Sequence, residues 1–130
     1  MEKKETEQKE VTERIKTFED ALKETGRPNV PEFLGTPEDL RDYFKAQYKA
    51  VVITEALNEG WKADWEDKNQ EKYIPWFWTK SPSGFAFDGT YCYCTNPDAG
   101  GASRLCFRTR ALAKYAGEQF LEIWKDLIFK

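Results

Sequence analysis

Residues 73–95 read YIPWFWTKSPSGFAFDGTYCYCT, and this aromatic stretch decides the fold class. Three runs within it, residues 73–79, 84–87 and 90–95, are rich in the aromatic and β-branched residues that strands favour. Turn-forming residues separate the first two runs, and Asp88-Gly89, a favoured two-residue hairpin turn, separates the second from the third. We therefore predict an antiparallel meander, to which residues 103–107 (SRLCF) add a fourth short strand.

Two helices are predicted before the strands. Apolar residues between positions 11 and 22 recur at helical spacing, with Gly26 as a stop signal and Thr17 as an alternative N-cap inside the pattern. A longer helix begins at a Thr36 cap and ends at Gly60, with a broad apolar stripe between them. The chain therefore starts with two helices.

One helix is predicted after the strands, capped by Thr109 and apolar at helical spacing as far as Leu127. The predicted order is ααββββα. Because strands and helices do not alternate, this order indicates an α+β fold, in which an antiparallel sheet of three to four strands carries its helices mainly on one face.

The length and composition indicate one domain. A chain of 130 residues is long enough for one core, and its first ten residues are polar without apolar periodicity. We predict a disordered lead over residues 1–10 and a single α+β domain over residues 11–130. There is no apolar run of membrane-spanning length and no secretory signal, and the three cysteines are too few for a disulfide framework. These features predict a cytoplasmic protein with free thiols and no membrane contact.

Four strings, NEGWKADW, KYIPWFW, SRLCFRT and LAKYAGEQFLEIWKDLI, carry a resemblance that covers about residues 36–129. Together they resemble an uncharacterised family of small proteins common in gut Bacteroidetes and their phages. The resemblance implies a single compact domain and a phage or prophage origin. The family has no established activity, so no catalytic residue is carried over to this chain.

The amino-acid composition excludes several kinds of catalytic and metal site. The chain contains no histidine, which excludes histidine-based triads and dyads and every histidine-containing zinc motif. Residues 66–68 (EDK) match the E-x-K element of a metal-dependent nuclease, but they lie in a polar connector rather than on a rigid strand. Cys92, Cys94 and Cys106 are one thiolate or imidazole short of a structural zinc site. We predict no cofactor and no metal.

The predicted hairpin register separates two faces of the sheet. A turn at Asp88-Gly89 places Phe85, Phe87 and Cys92 together and turns Tyr91 to the other side, because paired residues share a face. In the last strand Arg104 and Arg108 alternate with apolar residues and would join the tyrosine side. The candidate binding residues on or beside this aromatic and basic face are Tyr91, Tyr93, Arg104, Arg108, Arg110, Trp76 and Trp78.

Several functions fit such a face. We favour a non-enzymatic binding or adaptor domain for a protein partner or a second copy of the chain. Single-stranded nucleic acid is the alternative, because bases stack on aromatic rings while arginines hold phosphates. A metal-dependent hydrolase is a second alternative. Trp76 and Trp78 could instead cover the tyrosines as a second small core, and Trp61 and Trp65 could either close the core or anchor a partner.

Overall fold

The computed structural model of the protein describes residues 11–82, 84–92 and 104–130. Helical residues 11–14 precede the remaining elements, which are α1 (Phe18–Thr25), α2 (Glu38–Asn58), β1 (Tyr73–Ser81), β2 (Gly84–Cys92), α3 (Arg110–Gln119) and α4 (Leu121–Phe129). The fold is α+β, as predicted, and the sheet within these residues is a two-stranded antiparallel hairpin. The predicted lead over residues 1–10 lies outside the described residues.

The hairpin has only one of the two tight turns of the predicted meander. Ser81 pairs with Gly84, so the chain turns where the sequence predicts. The predicted turn at Asp88-Gly89 is wrong, because residues 84–92 continue as one strand along β1. Gly89 pairs with Trp76 and Phe87 pairs with the next residue of β1, which leaves Asp88 as the extra residue of a β-bulge.

The predicted fourth strand is reduced to a single pair. Tyr73 and Phe107 exchange both main-chain hydrogen bonds, with N···O distances of 3.0 and 2.6 Å, and form an isolated antiparallel bridge. On either side of Phe107 the backbone is bound by a helix side chain. The Asn58 amide donates to the Cys106 carbonyl at 2.9 Å and accepts from the Arg108 N–H at 3.0 Å. The buried side chain of Asn58, at the end of α2, therefore makes the hydrogen bonds to this segment that a neighbouring strand would otherwise make.

The first predicted helix is divided in two. Helical residues 11–14 end before Thr17, which caps α1: its hydroxyl accepts from the Asp20 N–H while the Asp20 carboxylate accepts from the Thr17 N–H. The alternative cap is thus confirmed, and α1 ends at Gly26 in the left-handed conformation with a φ of 72°. The capping box of Thr17 and Asp20 therefore starts a new helix, although the helical spacing of apolar residues continues through this point.

The ends of α2 differ slightly from the prediction. Pro37, not Thr36, occupies the N-cap position, and no side chain caps the first turn. At the other end Glu59 and Gly60 both have positive φ angles, 49° and 89°, so the left-handed stop extends over two residues. The longest helix described is nevertheless the one that the sequence predicts. None of the helices described is both long and apolar enough to cross a membrane.

The last predicted helix is also two helices. Thr109 caps α3 as predicted, accepting from the Leu112 N–H at 3.2 Å. The chain then leaves helical geometry at Phe120, which joins α3 to α4. The change of direction lets the Trp124 indole N–H donate to the Ala116 carbonyl at 3.1 Å. This bond gives a buried indole nitrogen its partner and packs α4 back against α3.

One apolar core joins the ends of the described chain to its middle. The most deeply buried large side chains come from the N-terminal segment, α2, the Phe107 bridge and α3: Val11, Ile15, Val52, Ile53, Leu57, Phe107 and Leu112. Two long-range hydrogen bonds tie the N-terminal segment to α3. The Tyr115 hydroxyl donates to the Ile15 carbonyl at 2.6 Å, and the Gln119 amide donates to the Lys16 carbonyl at 2.9 Å.

Candidate functional site

The inner face of the hairpin packs on the two C-terminal helices. Phe77 stacks on Phe85 at 5.1 Å between ring centroids and on Trp124 of α4 at 5.8 Å. Phe87 meets Phe77 edge-on and lies directly against Gly117 of α3. These aromatic contacts bury one side of the sheet and leave the other side to be considered as a binding surface.

The bulge at Asp88 decides which residues share each face. In a regular strand Phe85, Phe87 and Tyr91 would all lie on one side, because side chains alternate with a period of two. One extra residue reverses that alternation, so Tyr91 lies opposite the two phenylalanines. The predicted grouping of Phe85 and Phe87 apart from Tyr91 is therefore confirmed, although the hairpin turn from which it was deduced does not exist.

The outer face of the hairpin carries three large exposed aromatic side chains, which we call the aromatic face. Trp76 is 54% exposed, Trp78 is 55% exposed and Tyr91 is 54% exposed. The ring centroids of Trp76 and Tyr91 lie 6.0 Å apart with a tilt of 36°. The structure thus brings together three of the seven predicted site residues. Tyr93 lies outside the part of the chain that the structure describes.

The three predicted arginines have other contacts. The Arg108 guanidinium forms an ion pair with Glu59 at 2.8 Å, at the end of α2. Arg110 donates to the Thr90 hydroxyl at 2.7 Å, and its guanidinium carbon lies 5.0 Å from the centroid of the Tyr73 ring.

Arg104, the third of these arginines, is exposed and lines a cleft beside α2. Arg108 and Arg110 thus contact Glu59, Thr90 and the Tyr73 ring, and Arg104 lines the cleft. Within the described part of the chain, the three arginines are therefore not gathered around Trp76 and Trp78.

Tyr73 is the most perturbed titratable group at the edge of the hairpin. Its hydroxyl donates to a Glu71 carboxylate oxygen, and this bond, with a smaller effect of burial, raises the pKa of Tyr73 to about 12. The nearby Arg110 guanidinium acts in the opposite direction, because a cation favours the phenolate. At neutral pH Tyr73 is therefore a neutral hydrogen-bond donor and not a nucleophile.

The cysteines lie in different surroundings. Cys92 pairs with Tyr73 in the hairpin, whereas Cys106 is buried and burial raises the pKa of its thiol to about 11. Neither forms a disulfide within the described residues. Cys94 lies outside the described residues. Within residues 11–82, 84–92 and 104–130, no group of three or more cysteines and carboxylates could hold a metal ion.

The polar connector after α2 uses its carboxylates to form turns. Asp64 accepts from the Glu66 N–H at 3.0 Å, and Asp67 accepts from the Asn69 N–H at 2.9 Å. The side chain of Gln70 closes the connector by accepting from the Asp64 N–H at 2.6 Å. Side chains bonded in this way hold a loop in shape and are not arranged around an ion.

Sequence reasoning missed two residues that organise this region. Asn58 holds the chain on both sides of Phe107, and Glu59 forms ion pairs with Arg108 and with Arg14, which lies 45 positions away. An apolar pattern reveals neither role, because each depends on contacts between distant parts of the chain. Comparison of the chain with protein-family models, curated proteins and solved structures finds no match. The predicted family, phage origin and cytoplasmic location stay predictions.

Proposed function

We propose that the protein is a non-enzymatic binding module that engages a protein surface through its aromatic face, and that its partner is a second copy of the chain. The observation that supports this proposal is the exposure of more than half of Trp76, Trp78 and Tyr91 on one side of the hairpin. Exposed apolar patches mark interaction sites, and tryptophan and tyrosine are enriched among the residues that dominate binding energy at interfaces.

The area of the aromatic face determines how much free energy its burial could contribute to binding. Three side chains of about 200 Å² each, half exposed, present roughly 300 Å² of mainly apolar surface. Covering that surface contributes about 7 kcal/mol at ~25 cal/mol per Å². Association itself costs on the order of 4–15 kcal/mol. The face is thus sufficient as an anchor but needs further contacts around it, which favours a protein surface over a small ligand.

The placement of the arginines supports a protein partner over single-stranded nucleic acid. Stacked bases would fit Trp76 and Tyr91, but phosphates also need cations beside the rings. Arg108 is paired with Glu59 and Arg110 lies against Tyr73 and Thr90, away from the outer tryptophans. A metal-dependent hydrolase has still less support, because residues 66–68 belong to a connector whose aspartates form turns.

Sedimentation velocity tests self-association directly. We expect the average mass of the wild-type protein to rise above that of the monomer between about 1 and 100 µM, and the Trp76→Ala/Trp78→Ala variant to remain a monomer. Leu34→Ala is the matched control, since Leu34 is 71% exposed in the loop before α2 and its truncation removes exposed apolar surface that is not part of the hairpin.

Two results would contradict the proposal. A wild-type chain that stays monomeric over the whole concentration range shows that a second copy is not the partner. Quenching of tryptophan fluorescence by a single-stranded oligonucleotide, with an affinity that falls steeply as salt rises, supports the nucleic-acid alternative instead. Unchanged oligonucleotide binding in the Trp76→Ala/Trp78→Ala variant would place that site elsewhere.

A further inference from the structure

A cleft of about 910 Å³ opens on the side of the molecule formed by the end of α1, the C-terminal half of α2 and the connector that follows α2. Its volume lies at the upper end of the range for small-molecule sites. Trp61 and Trp65 form part of its wall, and Arg104 and Cys106 contribute from the segment before α3. Three stretches of the chain that are distant in sequence, residues 24–27, 51–65 and 104–106, therefore converge on one concave surface.

The tryptophan wall of the cleft is held in place by the connector. The Lys72 ammonium lies 5.2 Å from the centroid of the Trp65 ring and donates to the carbonyls of Asp67 and Gln70 at 3.1 and 3.0 Å. Lys72 is only 2% exposed, so its position is fixed by burial. The Gln70 amide also donates to the Lys62 carbonyl at 3.2 Å. The cleft wall is thus formed before any ligand arrives, which lowers the entropy cost of binding.

The carboxylates of the cleft are already neutralised. Glu24 forms an ion pair with Arg14 at 3.0 Å, and Glu55 accepts two hydrogen bonds from Arg27 at 3.0 and 3.1 Å. Glu59, the third carboxylate, is paired with Arg108 at 2.8 Å and with Arg14 at 3.3 Å. These pairs leave the carboxylates with little remaining negative potential toward the cleft.

Two cations of the cleft remain without a carboxylate. Lys62 and Arg104 both line it, and neither forms an ion pair within the part of the chain that the structure describes. The lining carries three cations, Arg27, Lys62 and Arg104, and three carboxylates, Glu24, Glu55 and Glu59. Because Arg14 and Arg108, which lie outside the lining, also pair with these carboxylates, Lys62 and Arg104 remain available to an anionic ligand.

We propose that this cleft binds a small organic anion that carries a planar ring. The half-buried indoles of Trp61 and Trp65 offer apolar surface to the ring, and Lys62 and Arg104 supply the charge that recognises the anion. A phosphate group and a carboxylate group are each able to form ion pairs with Lys62 and Arg104. The site is separate from the aromatic face, so either one can exist without the other.

Nuclear magnetic resonance of the five tryptophan indole N–H groups tests the proposal on the full chain. The probes are two matched pairs: adenosine monophosphate against adenosine, and indole-3-acetate against indole-3-acetamide. We expect at least one anion to shift the indole signals of Trp61 and Trp65, with about tenfold higher affinity than its neutral counterpart. The signals of Trp76 and Trp78, which lie on the aromatic face, should stay in place.

Charge removal provides the second arm of the test. Lys62→Ala/Arg104→Ala should weaken binding of the anion by about tenfold or more, while the neutral counterpart is unaffected. The matched control is Lys68→Ala, an exposed lysine of the same connector that does not line the cleft. The proposal is overturned if neither anion shifts the Trp61 and Trp65 signals, if neutral and anionic probes bind equally, or if the double variant binds the anion as tightly as the wild type.

Discussion

At the scale of single residues, Gly117 determines how closely α3 approaches the hairpin. A Cβ atom at this position would lie 2.5 Å from Cδ1 of Phe87 and 3.0 Å from Cβ of Pro75, both on the inner face of the sheet. Distances this short cannot be accommodated without moving the phenylalanine ring or the helix. The glycine is therefore required by packing, in a helix where alanine would otherwise be preferred.

We predict that Gly117→Ala lowers the free energy of unfolding by about 1–2 kcal/mol. Overpacking costs ~1–3 kcal/mol, which exceeds the gain of about 1 kcal/mol or less in helix propensity. Urea denaturation followed by circular dichroism measures the change. Gly35→Ala is the control, because its Cβ meets nothing within 4 Å and its φ is not positive, so its effect should stay within about 0.5 kcal/mol. Equal stability of Gly117→Ala and the wild type would show that α3 does not approach the sheet this closely.

The hydroxyl of Tyr73 provides a prediction for alkaline pH. Its hydrogen bond to Glu71 and its burial raise the pKa of Tyr73 to about 12, above the ordinary value of 10.0. A group whose pKa is raised on folding stabilises the folded state below its unfolded pKa, and the stabilisation is lost as the pH rises through its folded pKa. This contribution to stability is therefore lost between pH 10 and about 12.

Glu71→Gln should bring the pKa of Tyr73 back toward about 10 and reduce the loss of stability in that pH range. Titration of tyrosine labelled with ¹³C at Cζ reports the pKa of each ring separately. Glu66→Gln, which removes another exposed carboxylate of the same connector, should leave Tyr73 unchanged. If the two variants give the same pKa for Tyr73, the bond to Glu71 is not the cause.

At the scale of elements, the β-bulge of β2 controls which side chains face the core. Asp88 is the unpaired residue between Phe87 and Gly89, and it is exposed. Because Asp88 takes no pairing position, Phe87 and Gly89 alternate as adjacent residues would, so that Phe85 and Phe87 face α3 and α4 while Tyr91 joins the outer tryptophans.

Deleting Asp88 should change the free energy of unfolding by less than about 1 kcal/mol, because Phe87 and Gly89 already pair with adjacent residues of β1 and keep their faces. Deleting Ala86, which pairs with Trp78, should lower it by about 3 kcal/mol or more, because Phe85 and Phe87 can then no longer both face the helices. Chemical denaturation compares the two deletions, and near-ultraviolet circular dichroism reports the packing of the aromatic rings. Equal destabilisation by the two deletions would contradict the assignment of the bulge.

At the scale of the whole molecule, one core connects the N-terminal segment, the hairpin and the C-terminal helices. Ile15 is 1% exposed in this core, and its carbonyl is bound by Tyr115 of α3. Because this hydrogen bond joins residues 100 positions apart, we expect the N-terminal segment and α3 to unfold together. The predicted single domain therefore leads to the expectation of one cooperative transition.

Unfolding followed by tryptophan fluorescence and by far-ultraviolet circular dichroism should therefore give the same midpoint. Ile15→Ala should lower the free energy of unfolding by about 2–5 kcal/mol and shift both signals together. Leu34→Ala, at a position that is 71% exposed, should shift neither. Two separate transitions would contradict the single domain and would show that the helices and the hairpin unfold independently.

Features that depend on neighbouring residues could be predicted from the sequence alone. The α+β class, the turn at residues 81–84, the caps Thr17 and Thr109 and the left-handed stop at Gly26 were all predictable, because each rests on local conformational preference and hydrogen bonding. The exposed tryptophans of the aromatic face were also among the predicted site residues.

Features that depend on contacts between distant residues could not be predicted in this way. Asp88-Gly89 has the composition of a hairpin turn, but pairing with the full length of β1 makes it a bulge within one strand. The side chain of Asn58 forms hydrogen bonds with the backbone on both sides of Phe107. Glu59 forms an ion pair with Arg108, which holds that arginine at the end of α2 instead of at the aromatic face. Local preference is worth only about 1 kcal/mol per residue. Packing and buried hydrogen bonds therefore prevail wherever the two disagree.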